Sequence, residues 1–326
     1  MDPVDLTYAF DTLLEASVAL GADLALVQGA GGNFSLKFEN ELWIKASGTR
    51  LSEAREKAIY LPLDIATLST LALVTEDIAE SRIDHQATAH LRPSIETALH
   101  VLLPHRFVFH VHSVSAISAG LTEQGVAAFK ALSDEFRTVE VLYAKPGIRL
   151  ANAVALALGG AVDPAVPLAL LLRNHGIVVG AETAAEASRI IKLIETNLRA
   201  SPTPASTGRP ESVGSPYYSL YPAGTLTAVG ARAVSGGALT PDSAVFLGGF
   251  PFADASGNLS ESPGHVGADG SVSVLESIGD DELEILMSLV DVARQIATEP
   301  VTTLTRDEVA DLVNWEAEKW RHQMKR

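Results

Sequence analysis

The sequence predicts a mixed α and β fold, and three observations carry that reading. Apolar and polar residues alternate in FSLKF, ELWIKASG and RFVFHVHS, the two-residue period of strands. Apolar residues recur at helical spacing through the first 21 residues, and good helix formers fill 184–200. A chain of 326 residues exceeds one average domain yet stays near the upper size of a single core, so one large domain with an appendage is expected.

In chain order, the N-terminal helix leads to Gln28-Gly-Ala-Gly-Gly-Asn33, a glycine loop feeding a β-hairpin that turns at Glu39-Asn40-Glu41. Residues 92–103 read as a helix and 106–113 as a strand. A further strand, 168–180, is apolar on both faces but is interrupted by Arg173, Asn174 and His175. Ala184 to Ala200 follows as a helix. The Ser-, Pro- and Gly-rich stretch 201–216 has the composition of a linker or loop. It separates a domain at 1–200 from a C-terminal α+β extension at 217–326, where TLTAVGARAV, SAVFLGG and SVSVLES look strand-like and 280–299 and 306–325 look helical.

Composition narrows the function. Hydrophobic residues make up 47% and charged residues 20%, a globular balance. The net charge of −16 argues against the basic surface that collects nucleic acid or anionic membrane. No cysteine is present, so there is no disulfide framework and no thiolate nucleophile, and any metal must sit on His and carboxylates. The N-terminus carries acids where a secretory signal carries basic residues. The longest apolar run falls well short of the roughly 20 residues that span a bilayer. A cytoplasmic protein is expected.

His110 and His112 lie two apart on a strand, so both side chains leave one face and can reach one ion. The pair decides nothing alone, since two half-buried histidines would read the same way. His175 interrupts an apolar strand within LLLRNHGIVVG, where unpartnered polar groups would cost several kcal/mol. Added to the HxH pair, it completes the three-nitrogen set of open catalytic zinc sites. Glu96 lies in the helix leading to the HxH strand, where it can face the ion or serve simply as a first-turn acid. His100, one turn on, is either a partner behind the site or packing. Gly29 to Asn33 and Ser47-Gly48 can turn backbone amides toward an anion, or can be tight turns. Lys45 adds positive charge if it points inward. The glycine loop is not a dinucleotide fingerprint, because it leads into a strand. His85, His90, His105, His265 and His322 have no companion at ligand spacing and read as surface or structural.

GAGGNFS, IKASG, PSIETALH with FVFHVHS, and RNHGIVVG, in this order over roughly residues 10–200, resemble the class II aldolase/adducin family. The PSIET form, Tyr143-Ala-Lys-Pro-Gly147 and NWEAEKWR look most like the rhamnulose-phosphate aldolase branch. The resemblance implies a three-layer α/β/α sandwich around a mainly antiparallel sheet, assembled as a homotetramer with active sites between subunits. It implies zinc, or another divalent ion such as Mn2+, Co2+ or Fe2+, held by His110, His112 and His175. Glu96 matches the acid/base residue. Asn33, Ser47, Gly48 and Ser94 match positions that bind the substrate phosphate or neighbouring oxygens, whereas Ile95 departs from a second serine found in fuculose phosphate aldolase. The implied reaction is retro-aldol cleavage of a ketose 1-phosphate to dihydroxyacetone phosphate and an aldehyde through a metal-stabilised enediolate. A sugar-phosphate 4-epimerase, a dehydratase and a non-catalytic adducin-like binding module are the alternatives. The acid for the leaving aldehyde is open, with Tyr143, Tyr217 and Tyr218 as candidates by position.

Overall fold

The computed structural model describes residues 6–132, 134–200, 217–253, 262–297 and 300–314. The linker expected at 201–216 and the tryptophans Trp315 and Trp320 lie outside the described residues.

The first part of the chain runs α1 (Leu6–Gly21), β1 (Asn33–Phe38), β2 (Glu41–Lys45), β3 (Tyr60–Asp64), α2 (Ile65–Leu71), α3 (Thr97–Leu102), β4 (Phe107–Val111), α4 (Val114–Gly120), α5 (Glu123–Lys130), β5 (Arg137–Val141), α6 (Ile148–Leu158), β6 (Leu168–Leu172), β7 (Gly176–Ala181) and α7 (Ala184–Leu198). The strands form one seven-stranded sheet in the order β3-β2-β1-β4-β7-β6-β5, antiparallel except for the β5–β6 pair. Period-two alternation distributes its side chains between two cores. Phe107, Phe109, Val111, Ala169, Leu171, Ile177 and Val179 pack with α1, α5 and α7. Val108, Leu168, Leu170, Leu172 and Val178 pack with α3 and α6 on the other face. Helices therefore cover both faces, giving the three-layer α/β/α sandwich.

Register matters most where β1 meets β4. Phe34 pairs with Phe109, their rings stacked with centroids 4.0 Å apart, and both are fully buried. Burying side chains of this size contributes roughly 1.5–3 kcal/mol each. The neighbouring pair, Asn33 opposite His110, points to the other face. A one-residue slip would put the histidine in the apolar layer and the phenylalanines at the polar site, so aromatic burial holds the site in register.

The C-terminal part comprises β8 (Tyr217–Tyr221), α8 (Ala228–Ser235), α9 (Pro241–Leu247), β9 (Phe252–Ala253), β10 (Gly264–Val266), β11 (Val272–Leu275), α10 (Asp280–Gln295) and α11 (Arg306–Val313). Its four strands form a second sheet in the order β8-β11-β10-β9. Val114, Ile117 and Leu121, in and just after α4, belong to the same apolar cluster as Val234, Leu286, Leu289 and Val290. The C-terminal part thus builds its core on the first part. Among the described residues no helix is long and apolar enough to cross a membrane.

Four sequence expectations are corrected. The strand at 168–180 is a hairpin of two antiparallel strands, β6 and β7, because Asn174 adopts φ 59° and turns the chain. The helix at 92–103 is shorter: 93–94 pair with 45–47 through the Ala46–Pro93 bridge, and Glu96 stands at the N-cap of α3. Within TLTAVGARAV lies α8, started by the Thr227 side chain accepting from the Gly230 N–H. Within SAVFLGG lies α9, started by a Thr240–Ser243 capping box with Pro241 in the first turn.

Candidate metal centre

β4 supplies His110 at its penultimate position, and His112 follows on the same face. The stretch after His112 is fixed by Glu195 of α7, a buried carboxylate that accepts from Ser113 Oγ at 2.6 Å, Ser115 N–H at 3.1 Å and Ser115 Oγ at 2.7 Å. Ser113 caps α4 in turn, accepting from the Ala116 N–H.

The β6–β7 turn supplies His175, and each residue of its Arg-Asn-His-Gly run has a separate physical reason. Arg173 pairs with Glu123 and Glu140. Asn174 takes the left-handed conformation and donates Nδ2–H to the carbonyls of Leu239 and Thr302, at 3.0 and 2.9 Å. His175 faces His110. Gly176 has φ 153° and lies so close to β4 that a Cβ would sit 2.3 Å from the Val111 carbonyl oxygen. That contact brings the turn against the end of β4, and the three imidazoles with it.

Ring centroids of His110, His112 and His175 lie 4.9 to 5.2 Å apart, and one ligand atom from each lies within 4.8 Å of the others. All three are buried. His110 donates Nδ1–H to the Ile177 carbonyl at 2.9 Å, and Nδ1 of His112 faces Asp242 Oδ2 at 3.0 Å. With their outer nitrogens protonated, the two inner Nε2 atoms carry lone pairs that face each other at 3.2 Å. Two lone pairs at that distance repel unless a cation lies between them. Tetrahedral zinc at ~2.0–2.1 Å from each ligand sets its nitrogens roughly 3.3 Å apart, so the pair fits such an ion.

Glu96 closes the constellation. Its Oε2 lies 3.4 Å from His110 Nε2 and its Oε1 lies 3.5 Å from His175 Nε2. Among the described residues Oε1 and His175 Nδ1, both buried, have no hydrogen-bond partner. Burial alone would raise the Glu96 pKa; the facing His110 and His175 and the hydrogen bond from Asn33 outweigh it and hold the carboxyl at about 2. Burial pushes His110 down and takes His175 to about 3. At neutral pH these histidines are neutral and the carboxylate is charged, the donor set a divalent ion takes.

Asn33 donates Nδ2–H to Glu96 Oε2 at 2.8 Å and accepts from His100 Nε2–H, while His100 Nδ1 accepts from Ser35 Oγ at 2.7 Å. His100 is therefore a partner behind the site. Lys45 is buried and points inward, donating to the Ala30 carbonyl at 3.0 Å. Ser47 and Ser94 meet through backbone bonds from Ser47 N–H to Arg92 and from Ser94 N–H to Lys45. Gly48 follows with φ 76° and open space at its Cα.

A cavity of about 30 Å³ beside the histidines is lined by Asn33, Lys45, Ser47, Ser94, Glu96 and Asp242, among others. Ser47, Ser94 and Ile95 also line a cavity of about 420 Å³ that reaches Arg82 and Arg92. The first has room for an ion, the second for a small organic molecule. Tyr143, Tyr217 and Tyr218 line neither. Tyr217 donates to the Ser262 carbonyl, and Tyr218 packs in the C-terminal core.

The family model of the class II aldolase and adducin N-terminal domain matches residues 11–201, more than half of the chain. The chain belongs to this family. YuxG of Bacillus subtilis (strain 168), described as an uncharacterized oxidoreductase, is 28% identical over 191 residues, which are 53% of this chain and 27% of that protein. The chain thus spans about a quarter of the length of this curated relative. Among solved structures, the N-terminal class II aldolase domain of a conserved protein from Thermoplasma acidophilum aligns with TM-score 0.50 and 22% identity, covering 61% of this chain and 97% of that one. L-fuculose-1-phosphate aldolase from Thermus thermophilus aligns with TM-score 0.40 and 19% identity, covering 58% and 90%. The class II aldolase domain accounts for the seven-stranded sheet and all three histidines. Asp242, Glu284 and Asn174's partners Leu239 and Thr302 lie beyond the matched residues. Sequence reasoning missed Asp242 and Glu195; the only local signal for Asp242 is its place in the first turn after Thr240-Pro241.

Proposed function

We propose that the protein is a metal-dependent aldehyde-lyase that cleaves a ketose 1-phosphate to dihydroxyacetone phosphate and an aldehyde. The observation that carries this reading is the convergence of three imidazoles and the Glu96 carboxylate in one buried pocket, next to a larger cavity bordered by Ser47 and Ser94. His110, His112 and His175 would hold the divalent ion, zinc or else Mn2+, Co2+ or Fe2+. When bound, such an ion supplies Lewis acidity toward a carbonyl and toward the negative charge that carbon–carbon cleavage leaves on oxygen.

The chain's own residues do the rest. Ser47, Gly48, Ser94 and Asn33 receive the phosphate and neighbouring oxygens, and inward-facing Lys45 attracts that anion despite the acidic chain as a whole. Glu96, held by Asn33, moves the proton at carbon: the C4 hydroxyl gives its proton to the Glu96 carboxylate, the C3–C4 bond breaks so that C4 leaves as the aldehyde and the bonding electron pair stays on the C3 fragment, and Glu96 delivers that proton to C3. The likeness of residues 143–147 to the rhamnulose-phosphate branch makes a 6-deoxyketohexose 1-phosphate the first substrate to try. A homotetrameric, cytoplasmic enzyme of carbohydrate metabolism, with its catalytic domain at 1–200 and an extension from 217, completes the proposal.

Elemental analysis of the wild type and His110→Ala, paired with an aldehyde-release screen over ketose 1-phosphates, tests it. Near-stoichiometric metal lost in the variant, with dihydroxyacetone phosphate released from one sugar, supports the lyase. Metal with sugar turnover but no cleavage makes the enzyme an epimerase or dehydratase. Absence of metal from the wild type removes the catalytic reading.

A further inference from the structure

We propose that Asp242, carried by the C-terminal part, is a positioning residue of the metal centre. This rests on the metal reading above and assigns part of that centre to a region outside the matched family domain.

The imidazole of His112 has two nitrogens with opposite tasks. Nε2 faces His110 Nε2 at 3.2 Å, and Nδ1 faces Asp242 Oδ2 at 3.0 Å. A carboxylate at Nδ1 keeps the proton there, leaves Nε2 bare, fixes the ring orientation and raises the ligand's basicity. His110 has a neutral backbone carbonyl in the corresponding place. Gly31 stands against the same nitrogen: a Cβ there would lie 2.9 Å from His112 Nδ1. The glycine leaves space for the outer nitrogen, and Asp242 fills the one direction in which that nitrogen can donate.

Helix preference explains an acid in the first turn of α9 but not its aim. The aim is set by the contacts that fasten the C-terminal part over the site. Asn174, next to His175, binds the carbonyls of Leu239 and Thr302; the Leu304 N–H donates to Ala238; and the Thr302 N–H donates to Leu121. From α10, Glu284 accepts from the N–H of Gly29 at 2.6 Å, and Glu284 and Asp281 pair with Arg50. One end of the glycine loop is thus fastened by the same region that supplies Asp242. Asp242 lines both the ion-sized cavity and the cavity behind His112.

The test uses the full-length chain with Co2+ and Zn2+ as probes. Ion affinity is measured by competition with a chromophoric chelator, and the Co2+ visible absorption is recorded for wild type, Asp242→Ala, Asp242→Asn and the surface control Asp307→Ala. Asp242→Ala is expected to weaken ion binding about 10- to 100-fold and to shift the Co2+ bands. Asp242→Asn, which keeps an acceptor of the same shape, restores part of the affinity, and Asp307→Ala matches wild type. Far-UV circular dichroism stays unchanged across the set. Wild-type affinity and spectrum in both Asp242 variants overturn the inference while leaving the metal reading intact; a wild-type chain that takes up neither ion overturns both.

Discussion

Asn33 and Glu96, 63 residues apart, meet through an Nδ2–H to Oε2 hydrogen bond of 2.8 Å, and the carbonyl oxygen of the same amide is held by His100. The carboxylate thereby keeps one orientation toward the imidazoles. Asn33→Ala is expected to lower turnover of the proposed reaction roughly 100-fold, the scale of a misplaced reacting group. Bound metal should be unchanged. Steady-state kinetics with elemental analysis checks both, and full activity in the variant would remove Asn33 from the positioning of Glu96.

The β6–β7 turn separates backbone from hydrogen-bond effects. Asn174→Ala loses two buried hydrogen bonds and replaces a residue that tolerates the left-handed region with one that tolerates it less well, for an expected cost of about 2–4 kcal/mol. Asn174→Gly recovers the backbone conformation and loses only the hydrogen bonds, so it should be the milder of the two. Urea denaturation of both variants gives the order; equal losses would show that the left-handed conformation contributes nothing.

This turn also shows why the site was more legible than its supports. His110 and His112 on one face follow from strand periodicity alone, and the polar interruption at 173–175 announced a special position. What it concealed was a reversal of direction, because a short apolar run on either side of a turn reads like one long strand. TLTAVGARAV and SAVFLGG misled for a related reason: short stretches of small and apolar residues fit both periods, and only the Thr caps distinguish them. Asp242 and Glu195 act on residues 130 and 82 positions away in the chain, a relationship that no local pattern encodes.

Glu195 is a test of such a remote support. Glu195→Ala leaves the Ser113 and Ser115 hydroxyls and the Ser115 N–H without their acceptor, and is expected to destabilise the fold by about 2–4 kcal/mol. Its pairing with half-exposed Arg199 adds little, so Arg199→Ala should shift the urea midpoint far less. Comparable midpoints for the two variants would assign the effect to the surface pair instead.

Asp291 on α10 makes stability pH-dependent. Burial raises its carboxyl to about 6 against the pull of Arg294 and Arg199. The folded chain therefore binds this proton more tightly than the unfolded chain. The resulting contribution is fully present below the unfolded pKa near 4 and disappears as pH rises through 6. Above that, keeping Asp291 charged and buried costs on the order of 3 kcal/mol. Asp291→Asn should raise the thermal midpoint at pH 8 and leave it nearly unchanged at pH 4. Calorimetry at the two pH values decides, and an equal gain at both would discard the titration.

The three imidazoles come from two strand ends that approach only after β4 and β7 have paired, with more than 60 residues of chain between them. In an unfolded chain an ion would meet all three nitrogens only at the entropic cost of closing a loop of more than 60 residues. A divalent cation bound as proposed would therefore also be a ligand for the native state, holding the molecule folded in proportion to the logarithm of its free concentration above the dissociation constant. If the proposed ion is held there, its depletion would lower the thermal midpoint as well as stop the proposed reaction, so metal supply and survival of the folded chain would be linked.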